Sequence, residues 1–143
     1  MNDSDLYGQG NDVVGVDSGY YDDGSMGSQS GLLSDVGDTV YFGYDSSSLN
    51  SEAQAVLSAQ AAWLVENPAS SIVIEGHCDE RGTREYNIAL GERRANAVRN
   101  FLVRSGVDSN SVTTVSYGKE RPVVVGTSAE SYAQNRRART IMN

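Results

Sequence analysis

The 143-residue chain has one cysteine, one histidine and two prolines, and its first eighty residues contain no lysine or arginine. Each scarcity excludes something. A lone thiol, Cys78, cannot form an internal disulfide, so the fold is not held by disulfides. His77 lies beside it, but no second His or Cys exists to complete a tetrahedral zinc set. A strand would also send the two side chains to opposite faces, and a Cys–His nucleophile would need a third group to orient the base. The stretch "HCD" (77–79) therefore reads as a packed histidine and a small buried cysteine. No hydrophobic run approaches membrane-span length, and no secretory signal opens the sequence.

The net charge of −8 hides an asymmetry: residues 1–80 carry 14 acids and no base, whereas residues 81–143 carry all 11 bases and 5 acids. A basic half can mark a nucleic-acid surface, but these bases are dispersed among acids, without a run or interleaved aromatics. They read as a solvated surface with a few specific arginines, and no nucleic-acid partner is expected. Residues 1–37 hold eight glycines and seven aspartates with few aliphatics. Such a segment buries too little apolar surface to offset the entropy of ordering, so a flexible acidic linker is expected there. Over 38–143 the balance is 11 bases to 12 acids, and this is the expected folded domain.

Within it, "DTVYFGYD" (38–45) alternates and is rich in β-formers, predicting a strand that ends at Asp45. Residues 50–67 predict a helix capped by Asn50, with Ala53, Val56, Leu57, Ala61 and Leu64 on one face and Pro68 as its stop. "SSIVIEG" (70–76) predicts a second strand, and a turn around Gly82 leads to a Thr83 cap and a helix over 85–104. "SVTTVSYG" (111–118), a helical turn near 128–135 and "RRARTIM" complete the order. The pattern βαβαβ-β predicts an α/β fold (an α+β sandwich), with helices packed on a mixed sheet.

The long helix poses a question. At 100° per residue, Leu90, Ala97, Val98, Phe101 and Leu102 share an apolar stripe, with Asn87 on it and Arg94 in its middle. Tyr44 and Asp45, Asp79, and the Asn87–Arg94 segment can meet at one end of the sheet. Asp79 and Arg94 have two readings: an internal salt bridge of little net worth, or a pocket for a zwitterion in which Arg94 takes a carboxylate and Asp79 an ammonium. No phosphate-cradling loop, raised-pKa carboxylate pair or metal cluster accompanies them, so neither catalysis nor a cofactor is expected.

The segments "VYFGYDSSSL", "IVIEGHCDERGTREYNIALGERRANAVRNFL" and "SYGKERP…YAQNRRA" resemble the OmpA-like peptidoglycan-binding domain family over about residues 38–140. The spacing of Asp79, Asn87, Leu90, Arg94 and Ala95 carries the match, and "GHCDERGT" with "EYN" points within the family to the peptidoglycan-associated lipoproteins. The resemblance implies a four-stranded sheet and a non-enzymatic domain that grips diaminopimelate in peptidoglycan stem peptides. By position, Asp79 and Arg94 would be the central pair, each the other's partner when the site is empty. Backbone N–H groups at Tyr44 and Asp45 would help hold the ligand carboxylate, Asn87 and Leu90 would line the wall, and Arg81 would sit at the rim. The implied setting is the periplasmic face of the outer membrane, with a lipid anchor and a β-propeller protein of the Tol system as second partner. A wall-anchoring domain of a flagellar stator or secretion assembly is the alternative. Within the family, the peptidoglycan-associated lipoproteins begin at a lipid-bearing cysteine after a signal peptide. Met1 and its neighbours carry neither, so a truncated, soluble form is expected. The last strand, with Arg139 and Thr140, is more polar than a core strand should be, which leaves its pairing open.

Overall fold

Among the described residues, four short strands pair into one mixed sheet: β1 (Thr39–Tyr41), β2 (Ile72–His77), β3 (Val112–Gly118) and β4 (Arg137–Met142). Their spatial order is β1-β4-β2-β3, with β2 and β3 parallel and β4 antiparallel to both neighbours. Helices α1 (Ser51–Glu66) and α2 (Arg84–Arg104) make the crossovers, and the short α3 (Ala129–Asn135) leads into β4. The computed structural model describes residues 36–143, so all but the last two positions of the expected linker lie outside the described residues.

The helices form where caps and periodicity predict. Asn50 Oδ1 accepts from the Ala53 amide at 2.8 Å, and Thr83 Oγ1 accepts from the Tyr86 amide at 3.1 Å, each satisfying an otherwise orphaned N–H. The core lies between the helices and one face of the sheet, around Leu57, Ile74, Val98 and Leu102, none more than 1% exposed. Each buried aliphatic side chain of this kind contributes about 2 kcal/mol.

One expectation requires correction, and the pairing left open for the last strand is resolved. The first strand ends at Tyr41 rather than Asp45, because the chain beyond Phe42 turns: Asp45 adopts a left-handed φ of 53°. The carbonyls of Gly43 and Ser46 are bonded to Arg94 instead of a neighbouring strand. The polar last strand is central, flanked by β1 and β2. Its polarity is tolerated because Thr140 donates to Gln60 Oε1 at 2.9 Å, while Gln60 donates to the Gly37 carbonyl at 2.9 Å. On α1, fully buried Gln60 occupies the inner face, and the expected Val56 is only partly buried.

Helix α2 lies unusually close to the sheet. A Cβ placed on Gly76 would come within 1.8 Å of the Gly91 carbonyl oxygen, and one on Gly91 within 2.3 Å of Ser116 Oγ. Glycine at both positions lets the two backbones touch. That depth places the next turn of α2, with Arg94, at the end of β2.

Candidate functional site

A cavity of about 390 Å³ opens where β2, the first turns of α2 and the loop after β1 meet. All seven residues expected to bind line it: Tyr44, Asp45, Asp79, Arg81, Asn87, Leu90 and Arg94. Among the described residues, four more that sequence reasoning missed also line it: Cys78, Gly82, Thr83 and Tyr86.

Arg94 forms the floor and is fully buried. Its Nε donates to the Ser46 carbonyl at 2.8 Å, Nη1 to the His77 carbonyl at 2.9 Å and Nη2 to the Gly43 carbonyl at 3.0 Å. The guanidinium thus joins the loop after β1 to the end of β2, and its acceptors are neutral. Burial lowers its pKa from the usual arginine value, the direction expected of a cation stripped of water.

The expected Asp79–Arg94 pairing in the empty site is not what forms. Asp79 is held by Arg81, with Nη2 to Oδ2 at 2.7 Å and Nε to Oδ1 at 3.1 Å. The Arg81 amide adds a bond to Oδ1 at 3.0 Å, and Arg136 Nη1 reaches Oδ2 at 3.5 Å. The reason is local. Arg81 lies two residues along, so the aspartate closes a turn on its amide and meets its fork at once. Burial works to raise the Asp79 pKa, but the contacts from Arg81 and Arg136 outweigh it and hold the carboxyl below its usual range.

The rim is aromatic. Arg81 lies 4.1 Å from the ring centres of both Tyr44 and Tyr132, stacked between them. Tyr86 donates to Asp45 Oδ1 across the mouth. Asn87, by contrast, serves the loop: its Nδ2 donates to the carbonyls of Arg81 at 2.8 Å and Thr83 at 3.0 Å.

His77 and Cys78 are both buried, matching the packing reading. Cys78 donates to the Asn87 carbonyl at 3.3 Å, and burial pushes its thiol up to about 11. Such a thiol stays protonated and is a poor nucleophile. On the sheet face away from the helices, His77 stacks on Tyr117 and bonds Glu75 at 3.1 Å. Burial and the Arg137 charge depress its pKa to about 4, so the ring is neutral. Among the described residues no group of three His, Cys, Asp or Glu could hold a metal ion, and no helix is long and apolar enough to cross a membrane.

The fold and the pocket define a small α/β ligand-binding domain in which a buried cation and a tethered carboxylate share one cavity. A family model described as the OmpA family matches residues 41–136, and the chain belongs to that family. It is 53% identical over 117 residues to the peptidoglycan-associated lipoprotein of Brucella melitensis, spanning 82% of this chain and 70% of that protein. The protein of the same name from Rhizobium meliloti is 53% identical over 116 residues, covering 81% and 66% of the two chains. Among solved structures, the peptidoglycan-associated lipoprotein from Burkholderia pseudomallei superposes with a TM-score of 0.73 at 46% identity, covering 74% of this chain and 90% of that one. The C-terminal domain of Helicobacter pylori MotB matches with a TM-score of 0.67 at 22% identity, over 74% of this chain and 84% of that one. That likeness shows a shared fold alone.

Proposed function

We propose that residues 38–143 form a non-catalytic domain that binds peptidoglycan by clasping the diaminopimelate residue of its stem peptides. The observation that carries this reading is Arg94, a buried guanidinium bonded to neutral carbonyls and, among the described residues, to no carboxylate. A desolvated cation that Asp79 and Asp45 act on only at a distance, without a direct bond, is costly, so the pocket is built for an anion arriving from outside. Nη1 and Nη2 each carry a second N–H beyond the one that meets a carbonyl, and these can meet it.

The far end of diaminopimelate carries a carboxylate and an ammonium on one carbon, matching the two signs of charge at the site. Arg94, with backbone N–H groups at Tyr44 and Asp45, takes the carboxylate. Asp79 takes the ammonium. A carboxylate offers about four acceptor positions, and Arg81 and Arg136 occupy both oxygens of Asp79. The ammonium therefore replaces the Arg81 fork, whose side chain is 38% exposed and has solvent to move into. Asn87 and Leu90 hold the wall against which the ligand's methylenes lie.

The names of the relatives support the wider reading: a wall-binding head on a lipid-anchored protein that tethers the outer membrane to the peptidoglycan from its periplasmic face. In this reading the acidic, glycine-rich stretch over residues 1–37 lies between anchor and head, and a β-propeller protein of the Tol system engages the same head. The stator alternative has only the fold-level likeness to MotB behind it. The test is a pull-down on purified diaminopimelate-type sacculi. Wild type should sediment with the sacculi and Asp79→Asn should stay in solution; equal retention of both would overturn the assignment of the pocket.

A further inference from the structure

In the loop that carries Asp79 and Arg81, the carbonyls of four successive residues are claimed by side chains. Asn87 takes those of Arg81 and Thr83 from inside the pocket. The other two are taken from outside by one residue that does not line the cavity: Lys119 Nζ donates to the Glu80 carbonyl at 3.2 Å and to the Gly82 carbonyl at 2.5 Å. Four consecutive carbonyls, from Glu80 to Thr83, are thus fastened by two side chains on opposite sides of the loop. Gly82 sits at the apex with a φ of 95°, a conformation an untethered loop would readily leave.

Lys119 is itself well placed to act as an anchor. It directly follows Gly118 at the end of β3, and the Gly118 carbonyl accepts from the Cys78 amide at 2.8 Å, which ties this corner to the residue before Asp79. The adjacent Glu120 bonds Arg84 at 2.6 Å, so the same dipeptide also grips the first residue of α2.

We infer that Lys119 is a positioning residue for ligand capture: by holding the Glu80 and Gly82 carbonyls it fixes the backbone beneath Asp79, so that only the Arg81 side chain moves when a ligand's ammonium arrives. This rests on the pocket assignment made above. Outer partners of ligand-holding groups typically carry roughly 10- to 100-fold in affinity, because a carboxylate displaced by a fraction of an ångström no longer meets its ligand.

The experiment is calorimetry with a diaminopimelate-containing muropeptide on wild type, Lys119→Met, Lys119→Arg and Asp79→Asn, at low and high salt, alongside amide hydrogen exchange of residues 79–83 in the free proteins. Lys119→Met should bind about tenfold more weakly, with faster exchange in the loop and an unchanged melting temperature. Lys119→Arg, which can still reach two carbonyls, should recover most of the affinity. The loss should persist at high salt, where a long-range charge effect would be screened. Wild-type affinity in Lys119→Met, a loss that vanishes in salt, or a loss matched by lower thermal stability would each overturn the inference. Asp79→Asn separates the two levels: if it also binds normally, the pocket assignment fails; if it alone loses binding, only the role of Lys119 does.

Discussion

The pocket has two unlike sides. Its floor, Arg94 with Leu90 and Asn87 on α2, is at most 4% exposed and is bonded into the fold. Its rim, Tyr44, Asp45, Arg81 and Tyr86, is held by stacking and by contacts between groups that water can reach: Tyr44 is 64% exposed and Tyr86 45%. On the floor, the groups that would recognise a ligand also hold the chain together, so stability and binding cannot be altered separately. On the rim they can. The two arginines show the contrast directly: among the described residues Arg94 bonds carbonyls and no carboxylate, while Arg81 has a carboxylate and partial exposure.

The sharpest way to break this division is Arg94→Ala. Three carbonyls, those of Gly43, Ser46 and His77, lose their donor together. The expected cost is about 4 kcal/mol of stability, read by urea denaturation, along with complete loss of wall binding. A variant as stable as wild type would show that the floor is not structural. Arg94→Lys keeps the charge but offers no planar fork to three acceptors, so it should fall between the two in stability and still fail to bind.

Gly76→Ala attacks the floor without touching a ligand-facing group. The added methyl would meet backbone at Gly91, which only a shift of α2 can relieve, at about 3 kcal/mol. Binding should weaken as well, because α2 carries Arg94 with it. Normal affinity in this variant would uncouple helix depth from the site.

A pH titration probes the floor from behind, since the carbonyl of His77 is one of Arg94's acceptors. The ring titrates at about 4 in the fold against an ordinary 6.5. Between those values the unfolded chain binds a proton that the folded chain does not. Stability is therefore full above pH 6.5 and falls as the pH drops towards 4, by up to about 3 kcal/mol. His77→Gln should flatten this limb of the stability–pH curve; an unchanged slope would assign it to other groups.

The smallest effect on stability is expected at the rim. Tyr86→Phe removes one exposed hydrogen bond to Asp45 and should change stability by less than about 0.5 kcal/mol. A loss of more than 1 kcal/mol, read in the same urea experiment, would mean that the rim too is part of the scaffold.

What could be read in the sequence follows the same division. Helix positions were legible because Asn50 and Thr83 announce caps and the apolar stripes have helical period. Arg94 was legible as an anomaly in its stripe, but its partners were not, because a backbone carbonyl has no residue signature. The buried pairing of Gln60 with Thr140 spans eighty positions and appears only once β4 is known to be central. The Asp79–Arg81 contact could have been found, since an aspartate two residues before an arginine is a local turn signal. Tyr86, adjacent to Asn87 in the first turn of α2, carried a similar positional clue.

The central claim, that a buried cation and a tethered carboxylate together select a zwitterion, is tested most directly by calorimetry of the wild-type protein with two matched muropeptides. They should differ only in carrying diaminopimelate or lysine at the third position of the stem. Lysine lacks the carboxylate that Arg94 awaits, so its binding would leave that cation and its free N–H groups unmatched. The account predicts tight binding of the diaminopimelate peptide and at least a hundredfold weaker binding of the lysine peptide, on the order of 3 kcal/mol. Equal affinity for the two would contradict it.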